Sequence, residues 1–418
     1  MKLALAQLNP VIGDLDGNAE KILKVCKELK NEDVDLVITP ELSLIGYPPK
    51  DLLFNPRLFE EEKDVLNKLS KRLSILHQNL SVLIGIAEPT PDKEIPKLYN
   101  SVVILEKGTW RIVARKQLLP TYDVFDEKRY FRSAENSSIL NFNRQEKRWK
   151  IGITICEDIW VEKNLQNEKI QGKDPLRSLE QEKLDLLINL SASPFIEAKS
   201  LLRQRIAAKA AIRLSCPVIY VNQVGGNDEL IFDGSSFALN NEGRLRHELP
   251  AFTESISLCD ISSLKQKTKI SSKNQTSQEV LFRALVLGVK DYARKCNFNS
   301  TVIGLSGGID SALVATIAVA ALGISKVHAI LMPSPWSSAG SVKDATTLAT
   351  RLGIHHQKIP ISDVMNSFND ILSNSTWGIP TGITAENLQS RIRGTILMAL
   401  ANQRKHLLLS TGINQNWL

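Results

Sequence analysis

Apolar positions in the first 260 residues fall in short runs. They read "KLALAQL" (2–8), "VDLVITP" (34–40), "SVLIGIAE" (81–88), "SVVILEKG" (101–108), "KIGITICED" (150–158), "LDLLINLSA" (184–192) and "PVIYVNQVG" (217–225). Runs of this length, rich in Val, Ile and Leu, predict buried strands. A 3.6-residue period near Asn18–Lys30 predicts an amphipathic helix. The runs at 81–88 and 101–107 have no long helix between them, so they predict antiparallel neighbours and a mixed sheet. A sandwich of sheet and helix layers follows. Several strands end directly in polar or charged residues, which is where open α/β folds place chemistry.

The pattern changes after "SSLKQKTKISSKNQTSQ" (262–278), a polar stretch without periodicity that reads as a linker. Beyond it, strand and helix alternate strictly. A helix at 278–295 precedes "TVIGL", and a second runs to Leu322. "KVHAILM", a helix at 342–352, "HHQKIPI", helices at 363–373 and 384–404, and "HLLLSTG" follow. Such alternation predicts right-handed βαβ units and a parallel sheet. The predicted domains are 1–260, a linker at 261–277, and 278–418.

Charge changes this picture little. The chain has 418 residues, and its 52 basic side chains are nearly matched by 45 acidic ones. No block of five like charges occurs, so nucleic acid is not an expected partner. Cys26, Cys156, Cys216, Cys259 and Cys296 are scattered without a CxxC pair, against a disulfide framework or a zinc site. The six histidines lack ligand spacing, and adjacent His355 and His356 are expected on opposite faces of a strand. "MKLALAQLNPVIGDLDG" turns polar too early for a signal peptide, and no apolar run reaches the roughly 18–20 residues of a membrane span. A cytoplasmic protein with no membrane partner is expected.

The loop "GLSGGIDSA" (304–312) lies between a strand and a helix. Gly307 and Gly308 let backbone N–H groups turn toward one point, and the helix adds its positive N-terminal end, so an anion is the natural guest. Ser306 and Ser311 can donate hydroxyls to phosphate oxygens, and Asp310 could hold a magnesium ion. No Lys follows the glycines, so the loop is not a Walker A sequence. The string SGGxDS resembles the pyrophosphate loop of the ATP pyrophosphatases. That resemblance implies that Gly304, Leu305, Ser306, Gly307, Gly308, Ile309, Asp310 and Ser311 cradle the phosphates of ATP, with Asp310 meeting Mg2+. "LMPSPWSS" (331–338), "DATTLATRLGI" (344–354) and "TAENLQSRIRG" (384–394) are similar to the NAD synthetases in particular. By that likeness Asn387 contacts deamido-NAD and Thr411 contacts ATP.

Amide synthesis needs ammonia, which is scarce in its unprotonated form at neutral pH. Three residues at strand ends could supply it from an amide. Cys156 in "IGITICEDIW" could attack a carbonyl, Glu41 in "VITPELSLIGYPP" could take the thiol proton, and Lys116 in "VARKQLLPTYDVFDEKRYF" could stabilise the oxyanion. Taken singly, such a Cys is ordinarily a small buried hydrophobe and such a Lys a surface residue. Taken together, they resemble the Glu–Lys–Cys triad of the nitrilase superfamily. The strings "PELSLIGYPPKDLL", "LPTYDVFDEKRYF" and "ICEDIW" are similar to the glutaminase domain of glutamine-dependent NAD synthetases. That likeness implies glutamine binding by Tyr122, and by Ser193 and Lys199 in "NLSASPFIEAK". The other four cysteines read as structural.

The whole resemblance implies an N-terminal nitrilase-like α-β-β-α sandwich followed by a parallel-sheet, Rossmann-like ATP pyrophosphatase domain. Its substrates would be glutamine, ATP and deamido-NAD, its cofactor Mg2+, and its assembly a homo-oligomer. Family members continue from a Thr-Gly-Asn-Lys-Ser-Glu string after the last strand, whereas "INQNWL" follows Thr411 and Gly412 here, with Asn416 in place of the glutamate. The expectation is therefore a synthetase domain incomplete at its C-terminus. Alternatives are a stand-alone amidase with a remnant nucleotide-binding domain, an inactive ATP-binding chain, or a tRNA-modifying ATP pyrophosphatase. The last is disfavoured by the missing basic patch, the missing cysteine pairs and the glutaminase half.

Overall fold

Alternate side chains of the first strand serve two different cores. In β1 (Lys2–Gln7), Leu3 and Leu5 join one apolar cluster while Ala4 and Ala6 join another. A strand buried on both faces must be apolar at consecutive positions, which is why these runs are short and nearly continuous. The computed structural model describes residues 1–90, 96–144, 147–161, 172–265, 276–373, 375 and 378–411. Gly412, Asn416 and most of the expected linker lie outside the described residues. Two compact units, Met1–Ala284 and Leu285–Leu418, divide the chain.

In the first unit, β1 is followed by α1 (Leu15–Glu28), β2 (Leu36–Ile38), α2 (Pro56–Leu76), β3 (Ser81–Pro89), β4 (Leu98–Glu106) and β5 (Thr109–Arg115). Then come β6 (Ser138–Arg144), β7 (Lys147–Ile155), α3 (Pro175–Leu179), β8 (Leu186–Ser191), α4 (Lys199–Leu214) and β9 (Val218–Asn222). The unit's sheets are completed by β10 (Val224–Asn227), β11 (Leu230–Asp233), β12 (Phe237–Leu239), β13 (Leu245–Glu248) and β14 (Ser255–Asp260).

Two six-stranded sheets result, ordered β14-β1-β2-β3-β4-β5 and β13-β12-β9-β8-β7-β6, with β10-β11 as a separate hairpin. Each is parallel at its centre and antiparallel at both flanks. The expected antiparallel pairing of 81–88 with the next strand is present, Gly85 lying opposite Val102. Leu36, Ile38 and Leu83 from one sheet pack with Ile153, Ile188 and Val221 from the other. Ile22, Leu66 and Leu69 of α1 and α2 cover the outer face of the first sheet, and Leu176, Ile206 and Ala210 of α3 and α4 that of the second. This is the expected α-β-β-α sandwich.

The division between units falls within α5 (Ser277–Lys295). The second unit then contains β15 (Thr301–Gly304), α6 (Ile309–Leu322), β16 (Val327–Leu331), α7 (Ala339–Leu352), β17 (His355–Lys358), α8 (Ser362–Ser373), α9 (Gly382–Arg404) and β18 (Leu407–Leu409). All four strands are parallel in the order β17-β16-β15-β18. Ile303 and Ala329 face α6 and α7, while Val302 and Ile330 face α8 and α9. The chain winds outward from β15 to β16 and β17 before returning to β18 on the other side. The C-terminal end of β15 is therefore the topological switch point, where such sheets bind ligands. His355 and His356 are both exposed on the edge strand β17, where burial does not separate its two faces.

Candidate active sites

Glu41, Lys116 and Cys156 come from three strand ends and meet inside the sandwich. Glu41 follows β2 in a tight turn that passes over Gly85 of β3, where an added Cβ would lie 2.2 Å from the Leu42 nitrogen. Lys116 directly follows β5, and Cys156 directly follows β7. Lys116 and Glu41 have fully buried side chains, with Nζ 2.7 Å from Glu41 Oε1. Asn100 Nδ2 also donates to Oε1 at 2.7 Å, and the Ala192 N–H donates to Oε2 at 2.9 Å. Three donors on one buried carboxyl fix its orientation. Cys156 adopts φ 48°, a left-handed conformation rare for a residue with a side chain. Its carbonyl accepts from Asn189 Nδ2 at 3.2 Å.

Asp158 locks the lysine segment to the cysteine turn. Its Oδ1 accepts from the Gln117 and Leu118 N–H groups at 3.0 and 2.8 Å, and its Oδ2 from the Ile155 N–H at 3.0 Å. Burial pushes its carboxyl up to about 6 against these donors.

A second carboxylate, Glu127, was not singled out by the sequence. Its Oε1 accepts from Lys116 Nζ at 2.8 Å and from the Tyr47 hydroxyl at 2.9 Å. Burial and the neighbouring Glu41, opposed by Lys116, push it up to about 7. Burial disfavours the Lys116 charge, but Glu127 and Glu41 outweigh it and hold the ammonium well above the ordinary lysine range. Burial, reinforced by Glu41, raises the Cys156 thiol far above its usual value despite Lys116. The thiol is therefore protonated at rest, and a base beside it is a chemical necessity.

The residues expected to bind glutamine lie around this cluster. The half-buried Tyr122 donates its hydroxyl to Glu157, the residue after Cys156, at 2.5 Å. Burial raises the Glu157 carboxyl, with Tyr122, Lys116 and Lys199 opposing. Lys199 opens α4, its Nζ 5.8 Å from the Phe125 ring centre and 5.9 Å from that of Trp160. Its ammonium is lowered by burial, with Cys156 opposing. Ser193 is buried, its N–H donating to Asn222 Oδ1 at 2.8 Å and its carbonyl accepting from Arg203 Nη1 at 3.1 Å. Arg203 is itself buried and paired with Asp233.

In the second unit, a cavity of about 500 Å³ opens at the end of β15. Gly304, Leu305, Ser306, Met332, Arg393 and Thr411 are among its lining residues. Gly307 has φ +89°, and a Cβ there would fall 2.3 Å from the Ser341 carbonyl oxygen, so only glycine fits. Gly307, Gly308, Ile309, Asp310 and Ser311 carry the chain from the cavity into α6. The Ser306 and Ser311 hydroxyls are 3.0 Å apart, and Ser306 Oγ accepts from the Gly308 N–H at 3.2 Å. Asp310 is exposed in the first turn of the helix. Asn387 is exposed on α9 and is not among the lining residues, whereas Ser390 and Arg393 of the same helix are. Among the described residues no helix is long and apolar enough to cross a membrane, and no group of three ligating side chains is disposed to hold a metal.

Comparison with known proteins divides the chain in the same order. Residues 2–269 match the carbon-nitrogen hydrolase family and residues 281–417 the NAD synthase family. A glutamine-dependent NAD(+) synthetase of Synechocystis is 46% identical over 416 residues, covering 98% of this chain and 73% of the relative. One from Thermotoga maritima is 36% identical, covering 99% of this chain and 74% of the relative. The solved glutamine-dependent NAD+ synthetase of Acinetobacter baumannii, in complex with ADP, superposes with a TM-score of 0.87 at 36% identity. That match covers 98% of this chain and 74% of the other. The chain belongs to the glutamine-dependent NAD(+) synthetase family.

Proposed function

We propose that Glu41, Lys116 and Cys156 are the glutaminase machinery that supplies ammonia to NAD synthesis by this chain. The observation that carries the reading is the buried Glu41–Lys116 contact of 2.7 Å beside the strand end that carries the buried Cys156 thiol. Glu41 takes the thiol proton, and the Cys156 sulfur attacks the side-chain amide carbon of glutamine. Lys116 neutralises the developing oxyanion. The C–N bond breaks, Glu41 returns its proton to the departing nitrogen, and ammonia leaves a thioester. Glu41 then activates a water, whose attack releases glutamate and restores the thiol. In this reading Tyr122, Ser193 and Lys199 hold the rest of glutamine. The Lys199 cation suits the α-carboxylate, and Glu157 beside Tyr122 suits the α-ammonium.

The second unit uses that ammonia. The carboxylate of deamido-NAD attacks the α-phosphorus of ATP, giving an acyl adenylate and pyrophosphate. Ammonia displaces AMP to leave the amide of NAD. Ser306, Ser311 and the N–H groups at the start of α6 suit the phosphates. Thr411, two residues beyond β18, lines the cavity, and Asn387 lies one turn before the lining residues of α9. The exposed carboxylate of Asp310 fits a magnesium ion, which takes one or two carboxylates together with phosphate oxygens, and bound there it would offset phosphate charge.

The test measures glutamate release with glutamine alone for the unaltered chain and for Cys156→Ala, Lys116→Met and Glu41→Gln. Each variant is expected to lose at least about a hundredfold in kcat. Glutamate release by Cys156→Ala at the unaltered rate would overturn the assignment.

A further inference from the structure

One of the three donors to Glu41 is a backbone N–H just past the end of a strand, where the sheet no longer fixes it by itself. Strands β8 and β9 pair in parallel as far as Ser191 opposite Asn222, the last residue of each. The Gln223 N–H then donates to the Ser191 carbonyl at 3.0 Å. That carbonyl belongs to the same peptide group as the Ala192 N–H, which donates to Glu41 Oε2 at 2.9 Å. The following peptide is held by a side chain. Asn222 Oδ1 accepts from the Ser193 N–H at 2.8 Å, and Asn222 Nδ2 donates to the Ser193 carbonyl at 3.2 Å and to the Gly234 carbonyl at 2.9 Å. Asn222 has no measurable exposure.

The Asn222 amide therefore stands in for a further peptide of β9 and carries the β8–β9 pairing on to Ser193. Its partners allow one orientation. Turned over, its NH2 would meet the Ser193 N–H and its oxygen would meet two carbonyls, leaving buried groups unmatched. Arg203 Nη1 adds a second donor to the Ser193 carbonyl at 3.1 Å. Ala192 thus lies between two planar peptides, the first gripped by Gln223 and the second by Asn222. With both planes fixed, the backbone at Ala192 cannot turn, and its N–H stays aimed at Glu41.

We propose that Asn222 is a positioning residue of the glutaminase, whose side-chain amide grips Ser193 and so holds the Ala192 N–H on Glu41 Oε2, fixing the orientation of the base. No proton passes through the amide. The inference rests on Glu41 being the base.

The test measures kcat and KM for glutamine in the full-length chain, at a temperature below each variant's unfolding midpoint and per folded chain, both taken from calorimetry. Asn222→Ala should lower kcat about tenfold, the equivalent of one hydrogen bond to a charged group. Asn222→Asp keeps an acceptor for the Ser193 N–H and should retain more of kcat than Asn222→Ala. In a chain that already carries Glu41→Gln, adding Asn222→Ala should leave the residual rate unchanged within about twofold, because the group being positioned is gone. A purely structural role predicts otherwise: kcat per folded chain would be preserved, or the same tenfold loss would recur in the Glu41→Gln background. Either result, or a loss confined to KM, would overturn this inference alone. Glutamine hydrolysis by Glu41→Gln at the unaltered rate would instead remove the reading beneath it.

Discussion

Glu41 shows how much one side chain depends on its partners. Its two oxygens take three donors from three different strands' neighbourhoods: Lys116 after β5, Asn100 within β4 and Ala192 after β8. Glu41→Gln keeps the shape but places an NH2 group against donors, so the loss should fall on kcat for glutamine rather than on folding yield. Asn100→Ala removes one donor and should reduce kcat about tenfold, read as glutamate release per thiol titrated. That Glu41, Lys116 and Cys156 belong together was legible because of their flanking strings. Glu127 and Asn100 were not. Glu127 sits among Asp126, Lys128 and Arg129, and a glutamate in a charged run reads as solvent-facing until the fold buries it against Lys116.

Among the elements, two glycines and one helix carry separate predictions. Gly307→Ala would place a Cβ against Ser341 in a backbone conformation that alanine avoids, so ATP binding should weaken by tenfold or more while glutamine hydrolysis is retained. Equilibrium binding of ATP checks this. Gly85→Ala would push the Glu41 turn off β3, costing about 1–3 kcal/mol by overpacking and lowering the unfolding midpoint. Helix α2 buries Glu62, whose carboxyl is raised to about 8 by burial against one donor, the Ala87 N–H. A carboxyl whose folded value lies above its unfolded value of about 4.5 holds its proton longer in the folded state. Its contribution is complete below about pH 4.5 and is lost as pH rises toward 8. Glu62→Gln should therefore flatten the decline in thermal stability between pH 5 and 8, seen by calorimetry. The sequence signalled the central strands and the strict βαβ rhythm of 301–358 through period and length. It did not signal the short strands β10 to β13, each of three or four residues and too short to show a period, nor the burial of a glutamate in α2.

For the whole molecule, the order of chemistries follows the order of folds. A sandwich with its strand ends turned inward suits a buried thiol and its base, and an open parallel sheet with a switch point suits a phosphate-bearing nucleotide. Each unit should accordingly fail by itself: the Gly307→Ala chain should still release glutamate, and the Cys156→Ala chain should still use added ammonium. The most direct test gives the chain glutamine, ATP, magnesium and deamido-NAD and follows glutamate and NAD in one tube, beside Cys156→Ala with glutamine or with ammonium. The account predicts both products from the unaltered chain, neither from Cys156→Ala with glutamine, and NAD from that variant with ammonium. Glutamate from Cys156→Ala would contradict the glutaminase assignment, and glutamate without NAD from the unaltered chain would contradict the synthetase half.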